Sequence, residues 1–525
     1  MLQRKSAGNS AAIPSRRGSS TDALEALRPG LLRERRGLNL TNPPPFLPPV
    51  KNVLIATLAI ALLASLLYSR RTGETKKAPQ QEEPVTAAPP KPLSRYAPVQ
   101  TALSEAARTP GLQGSALGLC LIDGAGTVVV DLNAETAFIP ASTLKTVTTA
   151  TALQRLGPDF RFATRLRSTA PIVDGVLDGD VLIIGEGDPL LRLADLEKWA
   201  VTLKDQGLKE VTGRIVGDGR FFQGSLFDDF WNWGDIGNGY GSAVSGLNLE
   251  HNRFTVTFRG AEAEGEAALV SSIVPEVPAV IMVSEVTTGP SGTADNVVVY
   301  GGEKTGRITM RGTVPAATET VITGAIPDPE LFAAYHFRQA LLEAGIVVQG
   351  PTSGLTALEE DPLPCLGELL EHQSPPLLEL ITSIHATSDN HETECLFRKM
   401  GLLAGQAPDQ VIREHWKAQG MEFIGLRMED GCGLARADHI RPLDLARLQF
   451  LAAQGPHGAA WQGSLLSDGP VRSKGGAMSS IRSYTGYITS AGGEVFCFAL
   501  MVNHYADSNA VAGLRRSLIG IISGL

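Results

Sequence analysis

Ala141-Ser142-Thr143-Leu144-Lys145 is the stretch around which the rest of the chain is organised. Its serine and lysine stand three residues apart at the start of a helical pattern over residues 143–156, which Gly157-Pro158 ends. Because positions i and i+3 share one face of a helix, the Ser142 hydroxyl and the Lys145 amine can meet. A lysine whose pKa is lowered by burial can take the serine proton. The spacing predicts a serine nucleophile with a lysine base, although the pattern also arises by chance about once or twice in a chain this long.

Two later stretches support this interpretation. Ser388-Asp389-Asn390 precedes a helical pattern, and a hydroxyl and an amide on such a turn can project into a cleft. Taken alone, the turn is more simply an ordinary helix N-cap. Arg472-Ser473-Lys474-Gly475-Gly476-Ala477 leads into a strand, where glycine backbone lets a ligand approach closely and the lysine can hold an anionic group. Taken alone, it is a turn with a solvated lysine.

The net charge divides the chain into a basic N-terminal segment and an acidic remainder. Residues 1–77 hold 13 Lys+Arg against 4 Asp+Glu, a net charge of +9, and the rest of the chain holds 33 against 51, a net charge of −18. An acidic globular part argues against a nucleic-acid partner. With 525 residues, 43% of them hydrophobic, the chain is long enough for two to four domains and a substantial core.

The cysteine pattern predicts neither a metal site nor a dense disulfide framework. No Cys-x-x-Cys pair is present, and an odd number leaves at least one thiol unpaired within the chain, although one disulfide remains possible. Two of the cysteines, Cys120 and Cys497, lie in apolar strand-like runs, where a small buried hydrophobe is expected. The five are Cys120, Cys365, Cys395, Cys432 and Cys497. No cofactor is predicted, because a serine–lysine pair needs none.

The N-terminal part of the chain is typical of a membrane-anchored protein. Residues 53–68 form an uncharged apolar run, with Lys51 before it and Arg70-Arg71 after it, which predicts a transmembrane signal anchor over residues 50–71. A cleaved signal peptide behind an overlong N-terminus is the alternative. The more basic flank, residues 1–52, is expected to stay cytoplasmic, which places the rest of the chain outside the membrane.

Further along, the patterning predicts strands and helices in a mixed order. Residues 116–122 and 127–132 read as a hairpin joined by Asp123-Gly124-Ala125-Gly126. Between residues 165 and 322, short strands broken by Gly, Asp and Asn predict a mostly β insertion. The remaining predicted elements are helices over 329–344, 376–384, 392–403 and 508–525, and strands over 481–489 and 495–502.

Together and in this order, the three stretches resemble the Ser-x-x-Lys, Ser-Asp-Asn and Lys-Thr-Gly boxes of the penicillin-interacting serine enzymes. The chain most resembles the D-alanyl-D-alanine carboxypeptidase/endopeptidase branch of the low-molecular-mass (class C) penicillin-binding proteins, which carries a large insertion after the Ser-x-x-Lys box. The resemblance covers about residues 96–525. Further stretches that look like signatures of this family are Gly185-Glu-Gly-Asp-Pro189, Trp233-Gly-Asp235 with Tyr240, Ser245-Gly-Leu-Asn248, Asp430-Gly-Cys-Gly-Leu434 and Tyr484-Thr-Gly-Tyr487.

The resemblance implies an α+β, multidomain architecture. It implies a penicillin-binding, serine β-lactamase-like transpeptidase domain, with an antiparallel sheet flanked by helices and interrupted by the mostly β insertion. The expected segments are a disordered basic cytoplasmic tail (1–49), the anchor (50–71), a flexible linker (72–95), the first part of the peptidase domain (96–165), the insertion (166–322) and the second part of the peptidase domain (323–525).

The resemblance also assigns roles to residues. Ser142 is the nucleophile and Lys145 its base; Ser388 relays a proton to the leaving amine, Asn390 steadies the substrate amide, and Lys474 attracts the terminal carboxylate. The backbone N–H groups of Ser142 and Ala477 form the oxyanion hole. Further residues expected on the substrate side are Asp389, Arg472, Gly475 and Gly476.

The sequence departs from the family pattern at two positions. The Lys-Thr/Ser-Gly box is Lys474-Gly475-Gly476, so the hydroxyl expected to bind the substrate carboxylate is missing, at a cost of roughly 1.5–3 kcal/mol, or about 10- to 150-fold in rate. The serine of the family's Asp-Gly-Ser-Gly-Leu stretch is replaced by Cys432, a conservative change in size.

The function implied is a D,D-peptidase of the bacterial cell envelope. Its expected substrates are peptidoglycan stem peptides, cut as a D-Ala-D-Ala carboxypeptidase or a D,D-endopeptidase through an acyl-enzyme, with β-lactam antibiotics as covalent inhibitors. Its expected location is the inner membrane, with the catalytic domain periplasmic. Two alternatives stay open at this point: a catalytically weak or silent wall-binding or scaffold protein, which Gly475 favours, and a serine β-lactamase, which shares the three boxes.

Overall fold

The computed structural model describes residues 94–359 and 364–525. The predicted cytoplasmic tail, the membrane anchor and nearly all of the linker lie outside these residues. Within the described part of the chain, none of the helices combines the length and the apolar character needed to cross a membrane.

The described residues form ten α-helices. In chain order they are α1 (Ala97–Ala106), α2 (Lys145–Leu156), α3 (Leu193–Asp205), α4 (Pro329–Glu343), α5 (Leu377–Thr387), α6 (Asn390–Ala404), α7 (Pro408–Lys417), α8 (Pro442–Gln454), α9 (Gly458–Ser464) and α10 (Ser508–Ser523).

The same residues form 21 strands. They are β1 (Ala116–Ile122), β2 (Val128–Leu132), β3 (Ala163–Ser168), β4 (Ile172–Val173), β5 (Val176–Leu177), β6 (Val181–Gly185), β7 (Glu210–Val211), β8 (Ile215–Asp218), β9 (Arg253–Arg259), β10 (Leu269–Val274), β11 (Ile281–Gly289), β12 (Val298–Tyr300), β13 (Arg307–Pro315), β14 (Glu319–Ala325), β15 (Val347–Val348), β16 (Thr352–Gly354), β17 (Gly367–Gln373), β18 (Leu466–Asp468), β19 (Val471–Met478), β20 (Ile481–Thr489) and β21 (Val495–Asn503).

A six-stranded antiparallel sheet joins the two ends of the described chain. Its order is β18-β19-β20-β21-β1-β2, so the N-terminal hairpin pairs with the C-terminal strand β21. All residues of β21 after Val495 are buried, as the nearly continuous apolar run predicts for a central strand. Helices α1 and α10 cover one face of the sheet, and α2, α5, α6, α7 and α8 build a larger core on the other. The predicted sheet flanked by helices is confirmed.

We call the stretches at Ser142–Lys145, Ser388–Asn390 and Lys474–Gly476 the first, second and third boxes. Four smaller sheets lie between the first and second boxes. Their strand orders are β16-β8-β6-β3-β17, β15-β7-β5-β4, β10-β9-β14 and β11-β13-β12. Strand β17 pairs with β3, so strands of this region continue to Gln373, beyond residue 322. The segment boundaries expected from the sequence stay a prediction.

The insertion also contains a helix that is not among the elements predicted from the sequence. Helix α3 buries Leu196, Trp199, Ala200 and Leu203, which lie at helical spacing. These residues pack against α4 and the surrounding strands, as an amphipathic face does. Residues 166–322 are therefore mostly β, as predicted, but also include this helix, which packs against the strands.

The first box begins its helix differently from the prediction. Residues Ala141–Leu144 form a 3₁₀ turn, and the α-helix starts only at Lys145. The Thr143 hydroxyl donates a hydrogen bond to the Pro140 carbonyl oxygen at 2.8 Å, which fastens this tight turn. The helix ends at Gly157, whose φ of +82° favours glycine, as expected.

Candidate active site

The Ser142 hydroxyl and the Lys145 amine meet at the start of helix α2. Ser142 Oγ lies 3.0 Å from Lys145 Nζ, because the turn from 3₁₀ to α-helix keeps the i, i+3 pair on one face. The Lys145 side chain is fully buried, whereas Ser142 remains partly accessible. The predicted nucleophile and base are thus adjacent, and the nucleophile is the more accessible of the two.

Two further contacts set the direction of the Lys145 amine. Its Nζ donates to Asn390 Oδ1 at 2.5 Å and to the Cys432 carbonyl oxygen at 2.8 Å. The Asn390 amide is oriented by its own Nδ2, which donates to the Tyr240 carbonyl oxygen at 2.8 Å. Both partners of Nζ are acceptors only, so a neutral amine would donate its two hydrogens to them and turn its lone pair toward the Ser142 hydroxyl. This arrangement suits a base for Ser142.

The Cys432 carbonyl is placed by a loop wrapped around Asp430. The Asp430 carboxylate accepts hydrogen bonds from four backbone N–H groups of residues 432–435 at 2.6–3.0 Å. Gly433, with φ of +81°, lets this loop touch the first box, since a Cβ there would stand 2.0 Å from the Ala141 carbonyl oxygen. This stretch is one of the family signatures in the sequence, but no sequence pattern indicates that its carbonyl contacts Lys145.

The second and third boxes meet through Lys474 and Ser388. Lys474 Nζ donates to Ser388 Oγ at 2.8 Å and to the Gly475 carbonyl oxygen at 2.8 Å. Lys474 is 3% exposed, and burial, followed by the nearby Lys145 charge, lowers the pKa of its amine to about 7. Its charge state therefore changes close to neutral pH.

Strand β19 borders the site with an open edge. Its outer neighbour β18 pairs only with Val471–Ser473, so within the described residues no strand covers the edge from Lys474 onward. Gly476 closely approaches the first box, whereas the nearest atom to a Cβ on Gly475 would be in the Tyr484 ring, at 3.5 Å. Ala477, the predicted second oxyanion donor, is exposed.

Among the predicted residues with polar side chains, Asp389 and Arg472 lie outside this hydrogen-bonded cluster. The Asp389 carboxylate faces Arg253 of the insertion, at 2.6 Å between Oδ2 and Nη1. The Arg472 side chain is exposed, and within the described residues it makes no hydrogen bond or ion pair with the cluster. Asp389 and Arg472 are therefore close in sequence to Ser388, Asn390 and Lys474, but their side chains do not join the hydrogen bonds of those residues.

A polar cavity of about 460 Å³ continues from the second box toward the insertion. Ser388 and Asn390 line one side of it, and Tyr240 and Arg253 line the other. Because the insertion supplies one wall, this cavity is shaped by residues that come from both parts of the fold.

The two histidines closest to the boxes are buried and neutral. Burial, then the Lys474 charge, lowers the pKa of His385 to about 3, and its ring is held by the hydroxyls of Thr149 and Ser464 at 3.0 Å each. Burial also lowers the pKa of His391 well below its ordinary value. Neither ring is placed to serve as a base for Ser142.

Two groups of potential metal ligands lie near the site. One comprises His251, Asp389 and Glu392, and the other Glu394, Asp430 and Cys432. In the first group arginines already bind the aspartate and the histidine. In the second, backbone N–H groups occupy both oxygens of Asp430. In both groups, protein donors therefore already hold some of the atoms that a metal ion would bind.

Fold and site together define a class: a serine hydrolase of the penicillin-binding type, whose nucleophile is paired with a lysine. Comparison with known proteins gives the family. The profile of the D-Ala-D-Ala carboxypeptidase 3 (S13) family matches residues 99–521, and the chain belongs to this family.

Individual relatives agree with the family assignment. The chain is 27% identical over 440 residues to a D-alanyl-D-alanine carboxypeptidase of Actinomadura sp. (strain R39), covering 77% of this chain and 80% of the relative. It is 25% identical over 420 residues to the D-alanyl-D-alanine carboxypeptidase DacB of Haemophilus influenzae, covering 74% and 85%. The predicted family and enzyme class, a serine-type D,D-peptidase, are confirmed.

The fold has a solved counterpart. The crystal structure of penicillin binding protein 4 (dacB) from Haemophilus influenzae superposes with a TM-score of 0.72 at 22% identity, covering 81% of this chain and 99% of that one. A second structure of that protein contains a β-lactam and superposes with a TM-score of 0.67. The predicted fold class is confirmed.

Proposed function

We propose that Ser142 is the nucleophile that cuts D-Ala-D-Ala stem peptides, with Lys145 as its base. The observation that carries this assignment is the position of Lys145 Nζ, 3.0 Å from Ser142 Oγ and held by two acceptors on its other sides. The neutral amine takes the hydroxyl proton while Oγ bonds to the carbonyl carbon between the two D-alanines.

The groups around Lys474 act on the other half of the substrate. When protonated, the Lys474 amine attracts the terminal carboxylate. As the C–N bond breaks, the Ser388 hydroxyl passes its proton to the leaving amine and takes one from Lys474 Nζ, 2.8 Å away. The backbone N–H groups of Ser142 and Ala477 stabilise the oxyanion, each worth typically about 10²–10³ in rate. Water then hydrolyses the ester and frees Ser142.

The open edge of β19 gives the substrate a place to bind. An extended peptide can pair with the backbone from Lys474 to Ala477, as an added strand does. The cavity between the second box and the insertion can then receive the rest of the stem peptide. β-Lactams, which carry a reactive amide beside a carboxylate, are expected to acylate Ser142 by the same route.

A catalytically silent protein remains the second candidate, because Gly475 provides no hydroxyl for the carboxylate. Release of D-alanine from a D-Ala-D-Ala pentapeptide by the purified protein separates the two candidates. We expect release that Ser142→Ala abolishes. Binding of the peptide with no D-alanine released would favour the silent protein.

Covalent labelling tests the nucleophile directly. A fluorescent penicillin is expected to label the purified protein, and Ser142→Ala is expected to remove the label. Ser467→Ala, which changes an exposed serine of the same sheet, serves as the matched control and keeps the label. Labelling that persists in Ser142→Ala would assign the nucleophile elsewhere.

We also propose that residues 50–71 anchor the enzyme in the inner membrane of a bacterial envelope. The support is the uncharged run 53–68 between basic flanks. The full chain is expected in the membrane fraction, and a chain that starts at residue 78 in the soluble fraction. Recovery of the shortened chain with the membranes would contradict the anchor.

A further inference from the structure

The Ser388-Asp389-Asn390 turn joins two helices and needs external support. Ser388, which follows α5, has φ of +62°, a left-handed conformation that is strained for a non-glycine residue. Asp389 then caps α6 by accepting a hydrogen bond from the Glu392 backbone N–H at 3.0 Å. The residues on either side of Asp389 contact the two lysines: Ser388 contacts Lys474, and Asn390 contacts Lys145.

The insertion binds the middle residue of this turn. Arg253, the first residue of β9, donates to Asp389 through Nη1 to Oδ2 at 2.6 Å and through Nη2 to Oδ1 at 3.1 Å. The Asp389 side chain is only 11% exposed, so the pair is largely removed from water. Burial alone would raise the pKa of Asp389, but the Arg253 charge and hydrogen bonds outweigh it and hold that pKa well below its ordinary value.

The backbone that presents Arg253 is itself in an unusual conformation. Glu250, His251 and Asn252 have φ of 52°, 54° and 52°, three consecutive non-glycine residues in the left-handed region. The Asn252 side chain holds this segment, because its Nδ2 donates to the Ala243 carbonyl oxygen at 2.9 Å and its Oδ1 accepts from the Leu249 N–H at 3.1 Å. The direction of Arg253 is therefore fixed by the insertion.

Two further contacts tie the insertion to the same helix start. His251 Nε2 lies 2.9 Å from Oε1 of Glu392, which is buried in the first turn of α6. The Tyr240 carbonyl oxygen accepts from Asn390 Nδ2 at 2.8 Å. Three residues of the insertion thus contact three of the four residues from 389 to 392.

We propose that Arg253 is a positioning residue for the reaction and that the insertion is, through it, a working part of the catalytic site. By fixing Asp389, Arg253 keeps Asn390 within 2.5 Å of Lys145 Nζ and Ser388 within 2.8 Å of Lys474 Nζ. Without the guanidinium, the buried carboxylate is left unpaired and the turn shifts to solvate it. This inference rests on the proposed function, since it concerns the residues assigned there.

The test compares acylation by a fluorescent penicillin in the wild type, Arg253→Met and Arg253→Lys. In Arg253→Met we expect the limiting acylation rate to fall about 10- to 100-fold, as for other supporting groups of a catalytic site. The dissociation constant of the initial complex should change less than about twofold, because β19 is untouched. Arg253→Lys keeps one charged hydrogen bond and should recover part of the rate.

The matched control is Arg214→Met, which breaks a similar two-bonded pair with Asp180 elsewhere in the insertion. It should lower the unfolding temperature without slowing acylation. If Arg253→Met does not fold, Arg253→Lys carries the test, with an expected slowing of about threefold or more.

Three outcomes overturn the inference: acylation of Arg253→Met at the wild-type rate, a slowing of Arg214→Met as large as that of Arg253→Met, or a change confined to the dissociation constant. These are distinct from failure of the proposed function. A wild-type protein that is never labelled on Ser142 would overturn the nucleophile assignment itself. A wild type labelled on Ser142 together with a fully active Arg253→Met would overturn only the role of Arg253.

Discussion

Gly476 of strand β19 approaches Ser142 so closely that a Cβ on it would lie 2.8 Å from the Ser142 backbone nitrogen. The same Cβ would lie 2.5 Å from Ser483 Oγ and 2.9 Å from the Pro140 carbonyl oxygen. Real Cβ atoms do not sit this close to backbone, so any side chain at 476 would push the edge strand and the nucleophile apart. The space between the first and third boxes depends on this glycine.

Gly476→Ala is therefore expected to reduce acylation by a β-lactam by about 100-fold or more, since a shift near 1 Å at a reacting group has that effect. The measurement is the second-order labelling rate with a fluorescent penicillin. Gly475→Ala is the control, because a Cβ there has ordinary contacts with Tyr484. Equal rates in the two variants would show that the approach of Gly476 is unimportant.

Gly475→Thr is expected to raise kcat/KM for a D-Ala-D-Ala peptide by about 10- to 150-fold, by supplying a hydrogen bond to the substrate carboxylate. The structure has room for the change, since the nearest atom to a Cβ at 475 is 3.5 Å away. Gly475→Ala should give no gain, because it adds the carbon without the hydroxyl. A gain of equal size in both variants would attribute it to backbone stiffening instead.

The pH dependence of kcat/KM reports the role of Lys474. Burial and, while Lys145 is protonated, the charge of that neighbouring lysine lower the pKa of Lys474 to about 7, so the free enzyme carries the Lys474 charge below pH 7 and loses it above. If the charge attracts the carboxylate, kcat/KM falls as pH rises through about 7. Lys474→Arg, which stays charged, should abolish this fall. A kcat/KM that rises through pH 7 would instead make neutral Lys474 the base.

Asp438→Asn is expected to stabilise the protein at alkaline pH. Burial and the adjacent Asp430 carboxylate raise the pKa of Asp438 far above its ordinary value, and within the described residues no group donates to its Oδ2. The folded protein thus keeps a proton that the unfolded chain releases above about pH 4, so stability falls as pH rises, by up to about 1.4 kcal/mol per pH unit.

Urea unfolding between pH 5 and pH 8 measures this effect. The free energy of unfolding of Asp438→Asn should depend less on pH than that of the wild type. Asp409→Asn, at a partly exposed pair with Arg413, should leave the pH dependence unchanged. Parallel curves for the wild type and Asp438→Asn would show that Asp438 is ionised in the folded protein.

Much of the site was readable from the sequence because its chemistry sits in short local motifs. Ser142 and Lys145 are three residues apart, so helix geometry alone brings them together. Ser388 and Asn390 flank a single helix cap, and Lys474 precedes a glycine pair. Such patterns are visible without knowing where the rest of the chain lies.

Other partners were not readable, because they act through the backbone or across long separations. The carbonyl oxygens of Cys432 and Tyr240 orient Lys145 and Asn390, and any residue type offers a carbonyl there. Arg253 lies 136 positions from Asp389, and a lone arginine at the start of a strand carries no signal of its partner. The close approach of Gly433 to the Ala141 carbonyl oxygen likewise joins segments almost 300 positions apart.

By itself, the sequence determined the family, the order of the three boxes, the sheet with β21 at its centre, and the loss of a hydroxyl at Gly475. These follow from the spacing of motif residues and from the periodicity of apolar residues, and both are visible in short stretches of the sequence. Only the tertiary structure decided which groups surround Lys145, that Asp389 forms an ion pair with Arg253, and that Lys474 is buried. Those properties arise from segments distant in the chain, and burial and charge act through space, so no local pattern encodes them.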